Sequence, residues 1–178
     1  MNWLAHTGST LGRAIIVGSS IAVLMCGNVR AQQPAEAADG PFAELPGQWS
    51  GTGKITLDSG TERLRCSSSN RVRGSSQSEL DLQLKCDSDT YKFELVSDVE
   101  ANADGSITGR WTERTRSVGG SVIGSKRGDR IQIHIESTAF AADLVIVARS
   151  RRMSVSINSA GGGVRAQTSI ALTQTSKH

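Results

Sequence analysis

The chain has 178 residues, enough for one domain, with a formal net charge of +3 and only 4% aromatic residues. Its 20 basic and 17 acidic side chains nearly balance and form no basic cluster, which argues against a nucleic-acid-seeking or membrane-surface protein.

The first element is a leader. A start without acidic residues, Met1 to Arg13, precedes an apolar run from Ala14 to Met25, and Val29-Arg30-Ala31 then offers short residues where a signal peptidase reads. The apolar run is shorter than the about 20 residues of a membrane span and is broken by Gly18-Ser19-Ser20. Residues 1–31 are therefore expected to be a cleaved signal peptide, and the mature chain to begin at Gln32 in the periplasm or outside the cell. The alternatives are a retained anchor, or lipidation at Cys26, which has Met25 where a lipobox wants a small residue. Cleavage would remove Arg13 and Arg30, bringing the net charge to about +1, and would remove Cys26, leaving Cys66 and Cys86 as one pair. Two cysteines in an oxidising compartment point to one disulfide.

Residues 32–44 are small, polar and Pro-containing, and read as a flexible tether. From Leu45 to His178 the chain shows short alternating runs separated by Gly, Asp, Asn and Ser, and no helix of useful length. The expected strands are 47–57, 62–73, 79–86, 91–99, 106–115, 121–126, 130–137, 142–149, 153–158 and 164–173, with a break at Gly119-Gly120 and a turn over Ser159 to Gly163. Short connections make neighbours antiparallel, so the expected fold is an all-β, up-and-down barrel of eight to ten strands.

The second and third strands can be set against each other about Ser76. That register places Cys66 opposite Cys86, and Arg73, Arg71 and Arg65 opposite Glu79, Asp81 and Asp87. Directly opposed residues lie about 5 Å apart, where opposite charges attract and a disulfide can close. Odd positions then face solvent, while Leu64, Cys66, Val72, Leu80, Leu82, Leu84 and Cys86 face inward together with Ser68 and Asn70. The two inward polar residues could line a wet cavity or hydrogen-bond locally.

The stretch Leu45-Pro46-Gly47-Gln48-Trp49-Ser50-Gly51 opens the domain, and its Gly-x-Trp on a first strand resembles the signature of the lipocalin and avidin-like (calycin) barrels. The resemblance implies that Trp49 plugs one barrel end and that the interior can hold a small ligand. The chain departs from the lipocalin type in lacking a C-terminal helical segment and in its larger strand number. PFAELPGQWSGTG, LRCSSSNRV, LQLKCDSDTYKF and SITGRWTERT also look like a group of small exported alphaproteobacterial proteins, a likeness that implies no activity. A second Gly-x-Trp at Gly109 to Trp111 is either a degenerate repeat or an ordinary core Trp beside a glycine. Trp49, Tyr91, Phe93 and Trp111 are expected to dominate the core.

No nucleophile elbow, catalytic constellation, metal-ligand cluster or cofactor motif is visible. His134, alone in IQIHIES, falls on the solvent side of its strand. Arg149, Arg151 and Arg152, and separately Lys126, Arg127 and Arg130, read as a solvated rim, with an anion-binding mouth as the alternative. An outer-membrane barrel would need aromatic girdles that this chain lacks. Two functions of different class remain for what is expected to be a monomer. One is a carrier of a small apolar or amphipathic ligand, with Ser68, Asn70, Leu84, Tyr91 and Trp111 as the expected contacts in a chamber above roughly 300 Å³. The other is a protein-interaction module, such as a protease inhibitor or a partner of an envelope protein.

Overall fold

A computed structural model describes residues 40–177 except 139 and 162; the expected signal peptide lies outside the described residues, as do positions 32–39 of the expected tether. Ten strands follow one another: β1 (Gly47–Leu57), β2 (Gly60–Arg73), β3 (Glu79–Asp87), β4 (Lys92–Ala101), β5 (Ser106–Glu113), β6 (Val118–Arg127), β7 (Arg130–Glu136), β8 (Ala141–Arg149), β9 (Arg152–Gly161) and β10 (Val164–Ser176). Each pairs antiparallel with its sequence neighbour, and β1 pairs with β10. The sheet therefore closes on itself, and no strand presents an unpaired edge to another chain.

Closure follows from alternation sustained through every strand. Along β8, for example, Ala142, Leu144, Ile146 and Ala148 are buried, while Asp143 and Arg149 are exposed. Inward-pointing aliphatic residues of all ten strands form one continuous core. The β2–β3 register is the one read from the two cysteines and supported by the opposed charges: Cys66 pairs with Cys86, Arg65 with Asp87, Arg71 with Asp81 and Arg73 with Glu79. The disulfide Cys66–Cys86 is formed, across a sequence separation of 20. A loop of that length is stabilised by about 3 kcal/mol through the unfolded chain. Outside, Arg73 lies 3.1 Å from Glu79, 2.8 Å from Asp81 and 3.1 Å from Asp98. Asp81 thus bonds the diagonal Arg73 rather than its register partner Arg71.

Four expectations are corrected. Gly119-Gly120 is no break but part of β6. Gly120 faces Trp111 across the strand pair, and a Cβ there would sit 2.0 Å from the Glu136 carbonyl oxygen and 3.3 Å from the indole Nε1. The glycine makes room for closely approaching neighbours rather than for a turn. The turn placed over 159–163 shrinks because β9 continues to Gly161. β5 ends at Glu113, two residues early, because that carboxylate gathers the next turn. Finally, the folded domain starts before Leu45. Gly40 to Ala43 form a turn in which the Ala43 N–H donates to the Gly40 carbonyl at 3.1 Å, and Phe42 is 1% exposed. An apolar side chain in a short polar stretch had found a core to enter.

The connections are tight. Between β8 and β9 only Ser150 and Arg151 turn the chain, both at positive φ (49° and 65°). That is the handedness a two-residue hairpin needs, here without a glycine. β10 holds the turn: the Gln174 N–H donates to the Arg151 carbonyl at 3.0 Å, and Arg151 Nη2 donates to the Gln174 carbonyl at 3.2 Å.

Candidate functional site

The two ends of the barrel differ. At the end where β1 begins, Phe42, Leu45 and Trp49 are all but fully buried. The Leu45 carbonyl accepts from the Trp49 indole N–H at 2.9 Å and from Asn70 Nδ2 at 3.1 Å. The Asn70 Oδ1 in turn accepts from Ser68 Oγ at 2.7 Å. Gln174 Nε2 donates to the Pro46 carbonyl at 2.8 Å. The incoming segment thus has its backbone oxygens satisfied by inward polar side chains of β2 and β10, which lets an irregular stretch be buried. Trp49 fills this end, and the inward polar pair Ser68 and Asn70 is spent on fastening it.

At the other end the barrel is hollow. A chamber of about 460 Å³ is lined by Ile55, Phe93, Leu95, Trp111, Leu144 and Ile157, with Tyr91, Arg116 and Phe140 contributed by the loops. Trp111, Leu95, Ile135 and Leu144 also border a void of about 40 Å³ reaching toward Phe42, so this layer is the chamber floor. The hollow has a simple cause. Lumen width grows with strand number, and about eight strands can be filled by side chains alone. Ten strands must be filled here with few aromatics, and Phe42 and Trp49 are committed to the sealed end.

Of the residues expected to contact a ligand, the structure brings Tyr91 and Trp111 together at the chamber and leaves Ser68, Asn70 and Leu84 away from it. β2 and β3, which carry the disulfide, add no described residue to the wall. Tyr91 lies just ahead of β4, half-buried, with its ring edge-on to Phe93 at 6.2 Å. Trp111 packs against Phe140 at 5.7 Å. Its indole N–H is buried without a hydrogen-bond acceptor among the described residues. The two Gly-x-Trp motifs therefore serve different ends of the barrel: Trp49 near the start of β1, and Trp111 near the finish of β5.

Two site residues escape a reading of the sequence. Glu113 is an inward-facing carboxylate, 8% exposed, in the chamber wall. Its Oε1 accepts from the N–H of Glu94 at 2.9 Å, the N–H of Thr115 at 3.0 Å and the Thr115 hydroxyl at 2.6 Å. Its Oε2 accepts from the Arg116 N–H at 2.8 Å and from Arg116 Nη1 at 3.3 Å. Burial pushes this carboxyl up, but the hydrogen bonds from Thr115, Glu94 and Arg116 outweigh it and hold Glu113 below the usual carboxylate range. Arg116 is the second. Fixed by that carboxylate, its guanidinium sits 4.9 Å over the Tyr91 ring at the mouth. The signal was in the sequence, since Glu113 stands at an inward position of an alternating strand, yet its partners lie in the turn that follows.

The loop carrying Tyr91 is tied down in the same manner. Glu62 on β2 accepts from the hydroxyls of Ser88 and Thr90, and these two bonds hold its carboxyl below the ordinary range. His134 projects from the outer wall, 2.8 Å from Asp143. Among the described residues no group of three or more His, Cys, Asp or Glu side chains could hold a metal ion.

The sequence matches no protein-family model and no curated protein. Its fold is similar to the crystal structure of Rv2717c from M. tuberculosis, with a TM-score of 0.59 at 12% identity over 79% of this chain and 98% of that one. The class is thereby defined as a closed ten-stranded antiparallel β-barrel, consistent with the calycin type. At that identity the likeness extends to the fold alone.

Proposed function

We propose that the protein is a carrier that holds a small apolar or amphipathic ligand inside the open end of its barrel. The observation that carries this is the chamber of about 460 Å³, walled by aliphatic and aromatic side chains and placed at the end away from Trp49. A space of that size falls within the range of small-molecule sites, which are mostly apolar with a few placed polar groups. Here those groups are Arg116 at the mouth and Ser159 and Thr168 in the wall. We read the chain as a binder and not an enzyme, and as a monomeric, calycin-like protein exported by residues 1–31. The Cys66–Cys86 disulfide supports export.

Native mass spectrometry of the protein purified from the envelope of its own cells tests this. The expected spectrum shows a chain beginning at Gln32 with an extra small-molecule mass that is lost on denaturation. A chain that carries no extra mass, and that leaves an added fluorescent hydrophobic probe unbound, would exclude the carrier reading.

A further inference from the structure

We propose that the ligand of this chamber is a single-tailed amphiphile with an anionic or strongly accepting head, and that Arg116 reads the head at the mouth. The inference rests on the carrier reading and adds to it the chemistry of the head.

The charged residues among those lining the chamber are Glu113 and Arg116, and they are not equally available. A carboxylate offers about four acceptor sites on its two oxygens. Glu113 already takes five hydrogen bonds from Glu94, Thr115 and Arg116, so it has nothing to offer a cationic or donating head. Arg116 is the reverse case. A guanidinium carries five N–H donors. Only Nη1 is engaged, with the Lys92 carbonyl at 3.4 Å, Glu113 Oε2 at 3.3 Å and Thr115 Oγ1 at 3.1 Å. The donors on Nε and Nη2 have no partner among the described residues. The side chain is 45% exposed, so a head there stays wet while its tail is buried.

Position agrees with this division. The guanidinium is stacked over Tyr91, and both residues border the chamber from neighbouring loops at its rim. A planar fork held by a ring on one side and a saturated carboxylate on the other suits two-point recognition of a carboxylate or phosphate. Below the rim, Phe93, Leu95, Trp111, Leu144 and Ile157 offer only apolar contact to a chain, apart from the Trp111 N–H.

The experiment uses three probes of one tail length, each below its micelle concentration: decanoate, decanol and decyltrimethylammonium. Binding to the full mature chain is measured by calorimetry. Decanoate is expected to bind about fivefold more tightly than decanol, as one partly exposed, charge-assisted contact allows, and decyltrimethylammonium most weakly. In Arg116→Gln the ratio of decanoate to decanol affinity should fall to about one, and Arg116→Lys, which keeps the charge without the fork, should fall between. Equal binding of all three probes, or a preference that survives Arg116→Gln, overturns the head assignment while leaving the carrier reading in place. No binding of any probe overturns the carrier reading and this inference with it. Circular dichroism of each variant keeps a misfolded chain from being scored.

Discussion

The sealed and open ends of this barrel are built on the same ten strands with the same in-and-out alternation, yet one is solid and the other hollow. At the sealed end a segment from outside the sheet, Gly40 to Pro46, folds back under Trp49, and Asn70 and Gln174 donate hydrogen bonds to its carbonyls. At the open end no comparable segment enters among the described residues. The polar residues there, Glu62 and Glu113, fasten loops around the rim instead of across it. The lesson is that a wide barrel is plugged by what its polar side chains can satisfy. Apolar residues close a lumen only when the backbone that brings them has its hydrogen bonds met.

The contrast breaks most visibly at the two tryptophans. Trp49→Ala is expected to cost about 3–5 kcal/mol, because it leaves a sealed void in close-packed surroundings. Trp111→Ala should cost distinctly less, since the space it vacates joins a chamber that already exists. Urea unfolding of the two variants decides this, and equal losses would mean that the ends are equally well packed.

Glu113→Gln comes next, at about 1–3 kcal/mol, for one carboxylate serving several buried donors. Its pH dependence has a definite sign. The folded-state pKa of Glu113 lies below its ordinary value, so its contribution is complete above the unfolded-state pKa and is lost as pH falls through the folded one. The native protein should therefore weaken on acidification below the ordinary glutamate range, and Glu113→Gln should show a shallower decline there. Parallel stability profiles for the two proteins would remove Glu113 from the account of the rim.

The smallest effect sharpens the comparison. Trp111→Phe removes a buried N–H that has no acceptor among the described residues, so relief from that cost opposes the lost volume, and the net change should lie within about 1 kcal/mol. Trp49→Phe loses a made bond to the Leu45 carbonyl as well as volume, and should cost about 2 kcal/mol. Denaturation midpoints of the pair, measured side by side, would contradict this if the order were reversed.

Much of the architecture was legible because β-structure writes itself locally. A period of two marks strands and faces, and glycines with polar clusters mark turns. The Cys66 and Cys86 pair, supported by opposed charges at Arg65, Arg73, Asp87 and Glu79, selected the register that β2 and β3 adopt. Where the reading slipped, a glycine had a tertiary reason: Gly120 looked like a break but is room left beside Trp111. Phe42 looked like part of a tether because nothing near it in the chain shows the pocket that receives it.

The site was legible only in part, and the reason is geometrical. Alternation tells which side chains point inward but not at what height they stand along the barrel axis. Ser68, Asn70 and Leu84 point inward as surely as Tyr91 and Trp111 do, yet only the last two reach the chamber. Height is set by the strand registers: the β1–β2 pair levels Ser68 with Trp49 and Asn70 with Gly47, at the sealed end. By itself, then, the sequence determined most of the strands, the faces and the cysteine pair, which rest on contacts between near neighbours, and the β class through alternation sustained along the chain. The tertiary structure alone decided that Gly40 to Pro46 completes the seal expected at Trp49, that a chamber remains, and that Glu113 holds Arg116 over Tyr91 at its mouth. Those features arise from loops meeting across closed strands, and no local period encodes them.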